Sequence, residues 1–344
     1  MNHASPLLDV SLHVERGIAA AVSAPALGLI DWGAPGAAAI GALRVVPRAR
    51  LLQAPAAGAI ETWRAGAEVE RWRDGIVDCA SDGQWLFGCV TLDEADCGGI
   101  EAAARTAYAA IFDLLERSEH RYLQRTWNYI GDINAEVEGL ERYRRFNVGR
   151  QDAFLAADYP AFEGAPAACG LGVAAGPPSI HFVASATPPL PIENPRQVSA
   201  YRYPSEYGPR TPSFSRGAVV SRDGMQLLLI SGTASIVGHA SVHVGDVIAQ
   251  TSEAVANLRA VIDTANAPGA VKSQGQAGFA LERALCTVYL RHADDLAKVR
   301  ATFESAVGAA SPAARQAVYL QADVCRRELI VEIEATIAGR VGVE

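Results

Sequence analysis

The sequence has no CxxC pair and no cluster of cysteine with histidine. Its six cysteines, Cys79, Cys89, Cys97, Cys169, Cys286 and Cys325, are scattered along the chain. That pattern excludes the ligand spacing of a zinc site and reads as a set of reduced thiols. There is no basic run, and the formal net charge is −8, which argues against a nucleic-acid partner. The glycines of "GLGVAAG" (Gly170 to Gly176) lack the GxGxxG spacing ahead of a helix, so no dinucleotide is implied. The first 17 residues carry no basic stretch followed by a long apolar run, and so do not read as a signal peptide. The apolar stretch from Gly17 to Gly33 is interrupted by Pro25 and Asp31 and is too short to span a bilayer. The expectation is a cytoplasmic protein with no metal or other cofactor and no membrane partner.

What is present is a core-forming chain. Half of its 344 residues are hydrophobic and a fifth are charged, enough for one large domain or two ordinary ones. The C-terminal part reads as strand ("MQLLLISGTAS", Met225 to Ser235), helix ("GDVIAQTSEAVANLRAVIDTA"), strand ("ALERALCTVYLRH"), helix ("DDLAKVRATFESAVG") and two closing strands, "AVYLQADVC" and "LIVEIEATI". Val247, Val255, Leu258 and Ile262 fall near helical spacing, and Asp246 can cap the helix that they belong to. Leu296, Val299, Phe303 and Val307 form a second stripe. The "RRE" between the closing strands suits a tight hairpin. The N-terminal part repeats the order: "QWLFGCVTL", a helix rich in Ala and Leu, "RYLQRTWNYIG", a second helical region, "GLGVAAG" and "SIHFVASAT". The expected fold class is α+β, with two tandem β-α-β-α-β-β halves. The boundaries expected are 1–186 for the first half with an irregular β-rich extension, 187–198 for a Pro-rich linker, and 199–344 for the second half.

Two stretches carry chemistry. "YRYPSEYGPRTPSFSRG" (Tyr201 to Gly217) gathers three tyrosines, three arginines and three prolines with one carboxylate, Glu206. Phenols and guanidiniums on a proline-stiffened segment suit a small oxygen-rich anion, because arginine's planar fork binds carboxylate in bidentate fashion. The blander reading is an arginine-tipped exposed loop. In "LIVEIEATI", Val331, Ile333 and Ala335 alternate with Glu332 and Glu334. Period 2 places the apolar set under the helices and both glutamates on the other face, toward solvent, another sheet or a pocket. Tyr319, Gln321, Asp323 and Cys325 are expected to form the corresponding polar face of the preceding strand.

These stretches, with "ISGTASIVGHASVHVGDV" and "VCRRELIVEIEAT", closely resemble the chorismatase family, which removes the enolpyruvyl group of chorismate. The resemblance implies a RidA/YjgF-like fold for each half. It also implies a subtype. Members that hydrolyse chorismate to a dihydroxycyclohexadienoate carry Ala in place of Gly238. Members that make 3-hydroxybenzoate carry Gly there and Cys in place of Cys325. This chain has Gly238 and Cys325 and resembles the second kind.

The reaction implied is protonation of the enol-ether methylene, loss of pyruvate, and attack by the C4 hydroxyl on the neighbouring ring carbon before aromatisation. Carbon protonation calls for a positioned acid, and a carboxyl serves only if burial keeps it protonated near neutral pH. Glu332 is the candidate. Glu334 reads as a structural carboxylate. Cys325 and Gly238 are placed beside the reacting ring. Arg210 is the first choice of carboxylate clamp and Arg150 the second. Tyr203 and Tyr207 are donors, and Gly232 and Thr233 offer a backbone N–H and a hydroxyl. His239 and His243 have no metal-ligand company. The alternatives are a mixed 3-/4-hydroxybenzoate synthase, a chorismate hydrolase, and, in another class, a RidA-like small-ligand binding protein. The duplicated chain could stand as a monomer, its halves imitating two subunits of a trimer.

Overall fold

The computed structural model describes residues 13–17, 26–33, 42–56, 58–64, 66, 68–222, 225–268 and 278–340. The expectation for residues 1–12 lies outside them. The strands and helices run, in chain order, β1 (His13–Gly17), β2 (Ala26–Asp31), β3 (Leu43–Val45), β4 (Arg50–Gln53), β5 (Ile60–Arg64), β6 (Glu70–Asp74), β7 (Val77–Ser81), β8 (Trp85–Thr91), α1 (Glu94–Cys97), α2 (Ile100–Arg117), β9 (Tyr122–Gly131), β10 (Glu136–Val137), β11 (Leu140–Glu141), α3 (Arg142–Ala156), β12 (Ala167–Val173) and β13 (Ser179–Ser185). They continue with β14 (Leu190–Ile192), β15 (Gly217–Arg222), β16 (Met225–Ala234), β17 (Ile236–Val237), β18 (Ala240–Ser241), α4 (Val247–Asn266), β19 (Leu285–Leu290), α5 (Leu296–Val307), α6 (Pro312–Gln316), β20 (Val318–Gln321), β21 (Asp323–Val324) and β22 (Val331–Arg340).

The duplication appears as one strand order used twice. The first half pairs β12-β9-β13-β8 and the second β20-β19-β22-β16. In each, the first pair named is parallel and the other two are antiparallel. The α+β fold of two tandem halves is therefore present. Helices cover the outer face of each sheet. Val247, Val255, Leu258 and Ile262 of α4 and Val299, Phe303 and Val307 of α5 bury against Val331, Ile333, Ala335 and Ile337. Asp246 caps α4, accepting from the backbone N–H groups of Ile248 and Ala249, which satisfies two of the helix's orphan donors.

The inner faces of the two sheets meet in a shared core. Trp127 and Tyr129 from one, Leu229 and Tyr289 from the other, and Leu27 and Trp63 from the extension belong to it. The extension forms its own sheet, β1-β5-β2-β3. Trp63 meets Trp127 edge-on, ring centroids 5.6 Å apart, the geometry that the ring quadrupole favours. The halves also exchange strands: β4 joins the second sheet beside β20, and β21 joins the first beside β12. Within residues 187–198, Leu190–Ile192 is a strand paired with β15.

Two expectations are corrected. The closing strands do not form a hairpin, because β22 is flanked on both sides, by β16 and β19, leaving no edge for β20. The connection at Arg326–Glu328 instead returns the chain from β21, across the inter-sheet gap. Tyr319 does not share the glutamate face either. It packs with Ile333 in the helix-side core, while Val318 and Leu320 point inward. β20 is paired as a parallel neighbour of β19 rather than of β22, so its register follows β19.

Candidate active site

A cavity of about 250 Å³ opens where the two halves meet. Tyr143 and Arg144 of α3 contribute from the first half. From the second come the segment 203–216, β16, the turn at 325–328 and Glu332 of β22. The cavity is an inter-half feature because β22 presents one face to the other sheet and its end at Glu332 to the gap.

Glu332 lies at the bottom and is 3 % exposed. Its position depends on a bulge in β16. Ile230 pairs with Ala335 and Thr233 with Ile333, so Ser231 and Gly232 together oppose Glu334. Such bulges re-aim neighbouring side chains. A Cβ on Gly232 would come within 1.9 Å of Glu332 Oε1, so only glycine leaves room for this carboxyl. Ser231 pins the bulge across the half boundary. Its hydroxyl donates to the Ser215 carbonyl oxygen at 2.6 Å and accepts from the Ala168 N–H at 2.9 Å.

Burial pushes the Glu332 carboxyl up to about 8, the Glu334 charge adds to the rise, and Arg216 opposes it. Its Oε1 has no hydrogen-bond partner among the described residues. Glu334, on the same face, is fully engaged. Arg125 donates to it at 2.7 Å, Tyr289 at 3.0 Å and Trp127 at 3.3 Å. It joins the two sheets through a buried ion pair, Arg125 and Glu334 being 1 % and 6 % exposed in their side chains. Two glutamates in one alternating strand thus occupy opposite electrostatic environments, the arrangement that separates a proton donor from a fixed charge.

Opposite the acid stand two arginines. Arg216 donates to the Tyr203 hydroxyl at 2.7 Å and to the Val198 carbonyl oxygen at 2.9 Å. The Arg326 guanidinium lies 3.9 Å from the Tyr207 ring centroid and 5.0 Å from that of Tyr203. It is anchored through donation to His239 O and Ser241 Oγ. Arg216 Nε and Arg326 Nη2 are buried without a partner among the described residues. Arg216 thus carries one unmatched N–H and Arg326 an unmatched NH2 group, each on a side chain ordered by stacking on aromatic rings.

Of the residues singled out in the sequence, Glu332, Cys325, Gly232, Tyr203 and Tyr207 line the cavity. Cys325 also faces Glu332, and burial followed by that carboxyl pushes its thiol up to about 12, so it is a neutral thiol there. Arg150 lines a smaller chamber on the far side, shared with Glu332 and Cys325. Gly238 sits in the turn after Ile236 with φ +59°, and a Cβ there would meet nothing within 4 Å.

Two candidates are corrected. Thr233 pairs with Ile333, so its side chain is on the helix side, and its hydroxyl donates to the Ser231 carbonyl oxygen. Arg210 is exposed and lies 3.5 Å from Asp152, outside the cavity. Pro209 and Arg210 are exposed in a bend, and the chain turns inward after them, with Pro212 and Ser213 buried and Pro212 on the cavity wall. Arg210→Ala is expected to change kcat/KM by less than about twofold, since the side chain is exposed and outside the cavity and its loss removes no substrate contact. Steady-state kinetics check this.

The family model described as chorismatase FkbO/Hyg5-like, N-terminal, matches residues 61–184. A 3-hydroxybenzoate synthase of Streptomyces hygroscopicus is 39 % identical over 284 residues, 80 % of this chain and 81 % of that protein. The chain belongs to the chorismatase family. A chorismatase of Streptomyces rapamycinicus is 37 % identical over 284 residues, covering 81 % of this chain and 82 % of its own length. A crystal structure of a chorismatase superposes with a TM-score of 0.81 at 30 % identity, over 95 % of this chain and 98 % of that one.

Arg216, Arg326 and Tyr143 also line the cavity, and none of them is among the candidates singled out in the sequence. Arg216 was inside the quoted segment, where a signal existed: it directly precedes strand β15, so its backbone is fixed, unlike that of Arg210. Arg326 and Tyr143 had no local signal, because each reaches the cavity by way of a contact distant in sequence. Among the described residues no helix is long and apolar enough to cross a membrane.

Proposed function

We propose that the chain converts chorismate to 3-hydroxybenzoate and pyruvate. The carrying observation is Glu332: a buried carboxyl pushed up to about 8, facing a cavity with two underused guanidiniums. A carboxylic acid that keeps its proton near neutral pH is what protonation of an enol-ether carbon requires. In this reading Arg216 and Arg326 take the carboxylates of the dianion, with Tyr203 and Tyr207 donating or orienting. Glu332 delivers its proton to the methylene carbon, pyruvate leaves, and the C4 hydroxyl attacks the ring carbon from which it departs. The hydroxyl proton restores the Glu332 carboxyl, the strained ring opens, and loss of a ring proton with uptake of one on the oxygen completes the aromatic product, so the overall conversion consumes no water. Cys325, uncharged, borders the ring and excludes solvent from it. Gly238 acts through the left-handed backbone of the turn beside Ile236.

The test is pyruvate release from chorismate by the purified protein, with and without prior chelator treatment. Undiminished release after chelation is expected, and a requirement for added divalent metal contradicts the reading. The acid also sets a pH dependence. Its protonated fraction is full well below pH 8 and falls tenfold per unit above it, so the alkaline limb of kcat is expected to bend near pH 8. A flat profile through that range removes Glu332 as the acid. Cys325→Ala and Gly238→Ala are expected to move product toward the dihydroxycyclohexadienoate while pyruvate release continues, read by chromatography of the ring products. An unchanged ratio removes both residues from control of the partition.

A further inference from the structure

Behind Glu332 is a second, smaller space of about 30 Å³, walled by Arg150, Cys169, Gly170, Tyr143 and the carboxyl of Glu332 itself. It has room for one or two water molecules. Its polar lining is unusual. Arg150 is 2 % exposed and Glu332 3 %, yet Arg150 Nε, Arg150 Nη2 and Glu332 Oε1 all lack a hydrogen-bond partner among the described residues. Leaving two nitrogens of a buried guanidinium, with three N–H bonds between them, unmatched is costly. The unmatched atoms are complementary: two donors and one acceptor on the walls of one chamber. Oε1 is the carboxyl oxygen nearest Gly232, where a Cβ would also stand 3.1 Å from Cys169 Cβ, so it is the oxygen on the chamber side.

We propose that this chamber is a binding site for one ordered water molecule that bridges Arg150 to Glu332 Oε1, making Arg150 a positioning residue for the acid. The water accepts from the Arg150 guanidinium and donates to Oε1. With Oε1 occupied as an acceptor, the proton resides on Oε2, the oxygen left to face the substrate cavity. When that proton passes to carbon, negative charge appears on the carboxyl, and a guanidinium-backed water already points at it. That is a preorganised stabilisation of developing charge, at nearly the strength of a direct hydrogen bond. The proton count is closed: one proton leaves Oε2 for carbon, and the bridging water neither gains nor loses one.

The inference rests on Glu332 being the acid, and the experiment separates the two. A high-resolution crystal structure of the wild-type protein is expected to show one water within hydrogen-bond distance of both Arg150 and Oε1. Kinetics of Arg150→Met and Arg150→Lys follow. Arg150→Met is expected to lower kcat by roughly tenfold or more with KM within about twofold, because the lost donor acts on the transition state and not on substrate binding. Arg150→Lys, which keeps a cationic donor, is expected to recover part of kcat. A chamber empty of density, or a KM that rises about tenfold while kcat holds, overturns the proposal and makes Arg150 a direct substrate ligand. If Arg150→Met does not fold, the Lys variant and the wild-type density decide. If Glu332→Gln retains full activity, it is the assignment of the acid that fails, whatever the density shows.

Discussion

Replacing Glu332 with glutamine is expected to lower kcat by about 10²–10⁴-fold, the range that a general acid contributes, with KM and Tm little changed. Glutamine keeps the shape of the carboxyl and fits over Gly232, but it has no proton to give. Because the native carboxyl is buried and unpartnered at Oε1, its loss removes no ion pair. Glu334→Gln is the contrasting variant. It breaks the buried pair with Arg125 and leaves that guanidinium without its counter-charge, a change that costs about 3–5 kcal/mol of stability. Thermal unfolding and steady-state kinetics together should separate the two glutamates: Glu332 by rate, Glu334 by Tm. Equal loss of rate in both variants, each still folded, would remove the distinction drawn between them.

The second large effect is expected at Arg216. Arg216→Ala should raise KM by about 30-fold or more, because truncating one partner of a buried charge pair costs about 2–5 kcal/mol. Arg216 lines the cavity, its Nη2 is held by Tyr203 and Val198, and its buried Nε has no partner among the described residues. Arg216→Lys keeps the charge and loses the fork, so its KM should lie between the two. Arg216 also lowers the affinity of Glu332 for its proton, so the alkaline limb of the Ala variant should move to higher pH. A KM unchanged in both variants would take Arg216 out of substrate binding.

How much of this was legible in the sequence depends on the range of the interaction. Period 2 in β22 identified the glutamate face, because alternation is local and is kept by both neighbouring strands. Helical stripes and the Asp246 cap were equally local. The order of strands was not, since β22 could be a hairpin partner of β20 or an insert between β16 and β19 with the same alternation. The segment rich in tyrosine and arginine stood out by composition, but composition does not distinguish the exposed Arg210 from the buried Arg216. The bulge at Ser231–Gly232 left only a glycine as a trace. The difference between Glu332 and Glu334 is made by Arg125, Trp127 and Tyr289, which come from two other strands and could not be paired with either glutamate from sequence.

Conversion of chorismate to 3-hydroxybenzoate with Glu332 as the acid joins a product to a proton donor. It is tested most directly by incubating the wild-type protein and Glu332→Gln with chorismate and following all products by NMR. The wild-type protein is expected to yield equimolar 3-hydroxybenzoate and pyruvate, and the folded variant to leave chorismate unconverted on the same timescale. Pyruvate formed equally fast by the variant, or a wild-type product mixture without 3-hydroxybenzoate, would contradict it.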